Sequence, residues 1–175
     1  MSSLMELVIT AHQYRERELL AELKGLGSFS RTDFRDVIRG EVEDLETFLR
    51  SIEDGNVSSL SRIVPVERSF HFSFDNVVGE FIDAVKPFID GMEKGESFSV
   101  KVVRRGLKGA FSSQQVAKDV GTFISEVIGK RDGTAPRVDL ENPDKAVIFE
   151  TLGRWCGVGV IPRRMRKEYL YLKLP

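Results

Sequence analysis

Phe98-Ser-Val-Lys-Val-Val-Arg-Arg-Gly-Leu-Lys-Gly-Ala-Phe-Ser-Ser113 changes character halfway along its length. Phe98, Val100 and Val102 alternate with polar neighbours, so the first half predicts a strand. The second half sets Arg104, Arg105 and Lys108 around Gly106 and Gly109, with no acid between them. Ser112 and Gln115 then stand at capping-box spacing ahead of Val116, Val120, Phe123, Ile124, Val127 and Ile128, which predicts a helix beginning where the basic loop ends. A helix N-terminus presents unpaired N–H groups and the positive end of a dipole, both of which attract phosphate. A strand, a basic glycine loop and a helix start together form a seat for an anion.

The wider composition sets limits. A chain of 175 residues with 41% hydrophobic content can bury a core as one medium domain or two small ones. Its formal net charge of -1 excludes a uniformly basic nucleic-acid binder. The charge is uneven, however: residues 1–70 hold nine Lys or Arg against thirteen Asp or Glu, and residues 71–175 hold seventeen against fourteen. A polyanion would therefore be met by the second part. One cysteine, Cys156, excludes an internal disulfide and a multi-thiolate zinc site, and His12 and His71 are too far apart for a paired metal motif. A reducing, cytoplasmic location is the default expectation. With neither a signal-like start nor an apolar window of about 18 residues, the chain is expected to be soluble and unprocessed.

Taken in order, residues 7–11 read as a buried strand, and residues 15–26 as a helix with Leu19, Leu20, Leu23 and Leu26 on one face. Two strands follow, at 29–34 and 37–42, then a helix over 43–52 ending at Asp54-Gly55-Asn56, then an extended stretch over 63–72. Pro65 confines that stretch to an edge or a strand start. Strand, helix, two strands, helix, strand is the split order of a ferredoxin-like unit. The change of pattern near residues 68–74 is the candidate boundary between domains at 1–70 and 71–175. Beyond it, Val77, Val78, Phe81, Ile82, Val85, Phe88, Ile89 and Met92 mark a strong helix, kinked or ended at Pro87. After the basic loop and its helix, three strands are expected at 137–140, 146–152 and 155–161, and a last one over 169–174. The fold class is α+β.

Lys101, Arg104, Arg105 and Lys108 are the first candidates for chemistry, since Arg offers phosphate a planar fork of donors and glycine lets backbone approach closely. Charge runs are also the ordinary dress of a solvated loop. Gly106-Leu107-Lys108-Gly109 matches the Gly-x-x-Gly of KH domains, but a strand precedes it here where a KH domain has a helix. Asp139, Asn142, Pro143 and Asp144 suit a turn better than acid–base work, because no partner base accompanies them. Arg154 with the tail cations from Arg163 and Arg164 to Lys167 extends the electrostatic footprint, with Trp155, Tyr169 and Tyr171 as stacking surfaces or, more ordinarily, core. No dinucleotide turn and no phosphate-binding Gly-Lys-Ser loop is present, so no cofactor is expected.

The run from Phe98 to Arg105, the helix after Ser112, and Val138-Asp139-Leu140-Glu141-Asn142-Pro143-Asp144 before an alternating strand resemble THUMP domains, RNA-binding modules of tRNA-modifying enzymes. The likeness covers about residues 70–165, and residues 1–70 then look like the ferredoxin-like domain that usually accompanies one. The resemblance implies a grip on the acceptor stem and 3′ CCA end of tRNA, with contacts at Lys101, Arg104, Arg105, Lys108 and the helix start at Ser112. It implies a fold-shaping role for Asp139, Pro143 and Asp144. No catalytic domain is recognisable beside the binding unit, so the chain looks like a stand-alone THUMP protein. One such group is the tRNA-binding adaptor of the acetyltransferase that makes N4-acetylcytidine. A non-catalytic tRNA adaptor with a separate enzyme partner is the leading expectation. A small RNA-modifying or RNA-processing enzyme using Asp139 or Asp144, and a protein-interaction module, remain the alternatives.

Overall fold

The computed structural model describes residues 3–175, and these divide into two compact units, one of residues 3–67 with 164–175, the other of Arg68–Arg163. In the first unit the order is β1 (Met5–Ala11), α1 (Glu16–Glu22), β2 (Ser28–Arg31), β3 (Val37–Val42), α2 (Leu45–Asp54) and β4 (Leu60–Val66). The four strands form one sheet in the order β2-β3-β1-β4, each neighbouring pair antiparallel. α2 begins where Asp44 accepts a hydrogen bond from the Thr47 N–H, and it buries Phe48, Leu49 and Ile52 at helical spacing. Pro65 lies within β4, which tolerates it because β4 is an edge strand, paired only with β1. The close approach of Phe29 to Gly40 needs glycine: a Cβ at Gly40 would stand 2.4 Å from the Phe29 ring.

The stretch expected to run extended over 63–72 is two strands in two sheets. β4 ends at Val66, and β5 (Arg68–His71) opens the second unit by pairing with a strand from the far end of the chain. The tail differs as well. Residues 169–174, expected to form a last strand, are instead turn and irregular chain that follows α5 (Arg163–Glu168), and residues 164–175 group with the first unit rather than the second. Arg163-Arg-Met-Arg-Lys-Glu168 has no glycine and no β-branched residue, so helix is its intrinsic preference. Tyr169 and Leu172 are buried in the first unit, and the Ile63 N–H donates to Tyr171 O at 2.9 Å, which ties this tail to β4.

The second unit continues with a 3₁₀ turn (Phe74–Asn76), α3 (Val77–Ile89), β6 (Phe98–Val103), α4 (Ser113–Asp132), β7 (Lys145–Leu152) and β8 (Trp155–Pro162). Its sheet runs β5-β8-β7-β6, antiparallel except for the parallel β6–β7 pair. α3 and α4 bury Phe81, Val85, Val120 and Ile124 against Phe98, Val147, Phe149 and Val158 of the sheet. Phe81 is the hub of this core, its ring 4.7 Å from Phe149 and 5.3 Å from Phe72. α3 carries Pro87 inside it. The strand expected at 137–140 is reduced to a single bridge, Val138 beside Phe98, because the turn that follows draws the chain away. Among the described residues no helix is long and apolar enough to cross a membrane.

Candidate nucleic-acid interface

The loop between β6 and α4 is shaped by backbone conformations that few residues accept. Gly106 and Gly109 have φ of +76° and +84°, and Leu107 between them takes +54°, a strained value for a branched residue. Leu107 holds that conformation because its side chain packs against the core, as does Phe111 further on, with its ring 5.7 Å from Phe72. The loop is thus pinned at Leu107 and Phe111, and Lys108 between them stands exposed. As the capping-box spacing predicted, Ser112 caps α4 by accepting from the Gln115 N–H at 3.2 Å, and the exposed helix start carries no acidic residue in its first turn.

One backbone bond, from the Gly153 N–H to Arg105 O at 3.0 Å, ties this loop to the turn between β7 and β8. Arg154 in that turn is exposed, and its guanidinium stacks 4.6 Å above the ring of Phe74, itself 40% exposed. The Phe72 N–H donates to Arg154 O at 3.0 Å, which brings the start of the 3₁₀ turn to the same place. Arg104, Lys108, Ser112 and Arg154 therefore lie at one end of the sheet, on two segments distant in sequence. Lys101 lies on β6 just before them and lines a groove along α4.

Arg105 plays a different part from the one expected. Its guanidinium pairs with the fully buried carboxylate of Glu150 on β7, and its backbone N–H donates to Thr151 Oγ1 at 2.9 Å. It is an internal strut beneath the loop. Arg163 is also engaged: it forms an ion pair with Asp144 at 2.8 Å and donates to Asn142 O. It sits beside the opposite end of the sheet, since Lys145 faces Pro162 there. The eight residues of β8 place it on the order of 23 Å from the basic loop. Arg164 falls in the first unit, exposed and touching Met165. Sequence spacing cannot distinguish a cation aimed at solvent from one aimed at a buried acid. The signal that was available is Glu150, an acid directly after the apolar run Ala146-Val-Ile-Phe149.

The carboxylates of the Asp139–Asp144 stretch do architectural work. Asp139 accepts from the Glu141 and Asn142 N–H groups at 3.1 and 2.9 Å, and Asp144 from Ser97 N–H at 2.7 Å. These backbone donors hold both carboxyls below the usual aspartate range. Groups so held are poor general acids. Burial, with Glu150 nearby, pushes the Cys156 thiol well up, so it is no ready nucleophile. Trp155 is buried, and Tyr169 is buried in the first unit, so their ring faces are not open to bases. Tyr171, partly buried, donates its hydroxyl to Val57 O at 3.1 Å. Among the described residues no cluster of His, Cys, Asp or Glu could hold a metal ion.

Residues 73–161, the segment that builds the α3–α4 core, the basic loop and the β7–β8 turn, match the family model of the THUMP domain. The chain belongs to the THUMP family. The THUMP domain here begins just after β5 and ends within β8. No curated protein sequence matches the chain. Among solved structures, TrmN from Thermus thermophilus is 23% identical with a TM-score of 0.64, covering 89% of this chain and 45% of its own. A predicted N6-adenine-specific DNA methylase from Listeria monocytogenes is 17% identical with a TM-score of 0.57, covering 90% of this chain and 40% of its own. A 4-thiouridine synthetase, solved as an RNA complex with bound ATP, is 12% identical with a TM-score of 0.52, covering 91% of this chain and 42% of its own. At such identities the likeness is one of fold, and it extends over both units. The chain spans less than half the length of each of these three proteins.

Proposed function

We propose that this protein is a non-catalytic tRNA-binding module that grips the acceptor stem and 3′ CCA end and presents the tRNA to a separate modifying enzyme in the cytoplasm. The observation that carries the reading is the meeting of Arg104, Lys108, the helix start at Ser112 and Arg154 at one end of a THUMP domain's sheet. None of these three cations forms an ion pair with a carboxylate among the described residues, so their charges are left for phosphate, although Arg104 donates one N–H to Gly106 O. Lys101 continues that positive surface along β6. The first unit supports the reading too: its strand order β2-β3-β1-β4, antiparallel throughout and linked by two helices, agrees with the ferredoxin-like neighbour expected beside a THUMP domain. Arg105 and Arg163 are left out of the contact set, because each is engaged by an internal carboxylate.

The adaptor part is supported by Asp139 and Asp144, the carboxylates weighed for acid–base work, being held by backbone donors. A 4-thiouridine synthetase of the same fold was solved with RNA, which supports tRNA as the partner class. The test is a filter-binding titration with full-length tRNA and with tRNA trimmed of its terminal CCA, repeated over a range of salt. Affinity should fall on trimming, and should fall with salt at a logarithmic slope of about -0.9 for each duplex phosphate neutralised. Equal affinity for both RNAs would end the claim of end recognition. Turnover of total tRNA by the protein alone would end the claim that it is not an enzyme.

A further inference from the structure

β6 is an edge strand, and its free side is only partly used. The Phe98 N–H donates to Arg137 O at 3.1 Å and Phe98 O accepts from the Asp139 N–H at 3.0 Å, so both backbone groups of Phe98 point away from β7. Ser97 O, one residue earlier, accepts from the Lys145 N–H at the start of β7. Strand parity then fixes the rest: Ser99, Lys101 and Val103 bond to β7, whereas Val100 and Val102 turn their N–H and C=O outward. Among the described residues nothing takes those outward groups, because the chain leaves the edge after Asp139. They open into a groove of about 900 Å³ between β6 and α4.

That groove has the shape and charge of a strand receptor. An added strand lies about 4.8 Å from the edge it joins and needs room along its whole length. α4 supplies the room: Ala117, Gly121, Ser125 and Gly129, four residues apart, line the wall facing the edge. The exposed Val138 and Leu140, at 54% and 57%, add apolar surface where Arg137–Asp139 already runs parallel to β6. Lys101, Lys118 and Lys130 line the groove against the single carboxylate of Glu126. No aromatic face is offered for base stacking, since Phe98 is buried.

We propose that the β6 edge and the α4 groove receive an extended segment of a partner protein, apolar at alternate positions and acidic between them, which adds as a further strand beyond Val100 and Val102. Backbone bonds to those two residues supply affinity, and the lysines select against basic sequences. This goes beyond the RNA reading and gives the partner of an adaptor a surface that shares only Lys101 with the RNA contacts at the end of the sheet. It needs no tRNA, so it stands or falls separately.

The test uses the full chain without RNA. Three ten-residue peptides alternate Val or Ile with Glu and Asp, with Ser, or with Lys, and single-stranded oligoadenylate serves as the nucleic-acid arm. Binding is read by fluorescence anisotropy, and amide hydrogen exchange is followed at Val100 and Val102. The acidic peptide should bind at least tenfold tighter than the lysine peptide and slow exchange at both amides. Lys118→Glu with Lys130→Glu, both on the exposed side of α4, should abolish that preference while the urea unfolding curve stays in place. Val102→Pro removes an outward donor and no ladder bond, so it should weaken the acidic peptide while leaving β6 paired with β7. The proposal is overturned if no peptide protects Val100 and Val102, if the lysine peptide binds as well as the acidic one, or if oligoadenylate protects them in place of peptide.

Discussion

Replacing Arg105 by Met should unfold the protein more readily and leave the RNA-facing surface intact in whatever remains folded. The Glu150 side chain is fully buried and that of Arg105 is 14% exposed, so the cation that faces the carboxylate is itself largely withdrawn from water. Removing one member of such a pair costs about 3–5 kcal/mol, because the remaining charge keeps its desolvation penalty and loses its counterion. The lower end, about 3 kcal/mol, suits a guanidinium with some access to solvent. In a chain of this size that corresponds to a fall in melting temperature of about 6–12 °C. Pairing Arg105→Met with Glu150→Gln removes both charges, and the double variant should recover about 2 kcal/mol of the loss, a coupling that a double-mutant cycle isolates. Urea and thermal unfolding followed by circular dichroism give the stabilities, and tRNA titration well below every melting point gives the affinities. An Arg105→Met variant with wild-type stability and RNA affinity reduced more than tenfold would refute the assignment, since the guanidinium would then be facing RNA and not Glu150.

Lys108→Glu and Arg154→Glu should behave in the opposite way, each lowering tRNA affinity and reducing the salt slope by about one, with stability changed by no more than about 0.5 kcal/mol; filter binding across salt and urea melts check both. Gly40→Val should destabilise the first unit by about 2 kcal/mol, because the new Cβ meets the Phe29 ring at 2.4 Å, and it should leave the chemical shifts of the basic loop unchanged. The carboxyls of Asp139 and Asp144 have folded values depressed below their unfolded ones, so their stabilisation is complete above the unfolded value, near pH 4, and is lost as pH falls through the lowered folded values. Asp144→Asn should flatten that acid limb of the stability profile, and an unchanged profile would contradict the role given to the Ser97 donors.

Much of the architecture was legible because it rests on short-range rules. Val37, Ile38 and Val42 among charged neighbours marked β3, and Phe48, Leu49 and Ile52 marked the buried face of α2. Ser112 with Gln115 located the start of α4 to the residue. What escaped depends on partners distant in sequence. Residues 63–72 look like one extended run, and only the pairing of Arg68–His71 with Cys156 and its neighbours reveals that the run changes sheet at Glu67. Tyr169 and Tyr171 alternate with leucines as a strand would, yet their burial is decided by the first unit's core. Arg137–Leu140 had strand-like composition, but Asp139 takes the next N–H groups into a turn before a ladder can extend.

The same limit governs the binding site, and it explains why eight expected RNA contacts resolve into unequal sets. Lys101, Arg104, Arg105 and Lys108 form a cluster in sequence, but strand parity and loop geometry give each a different neighbour. Arg105 follows the odd-numbered register of β6, the one that bonds to β7, and so it continues towards Thr151 and meets Glu150. Arg104 precedes the positive-φ turn and donates back to Gly106 O, bracing the loop without reaching an acid. Lys108 sits between Leu107 and Gly109, at the point where two left-handed residues thrust the chain outward. Arg154 arrives from another hairpin and is positioned by a ring, Phe74, which fixes its plane without neutralising its charge. An arginine held by an aromatic face keeps its full set of donors for a phosphate, whereas one held by a buried carboxylate has already spent them. The sites to weigh for RNA are therefore those whose guanidinium or ammonium group is placed by geometry alone, and on this chain they gather around the β6–α4 loop.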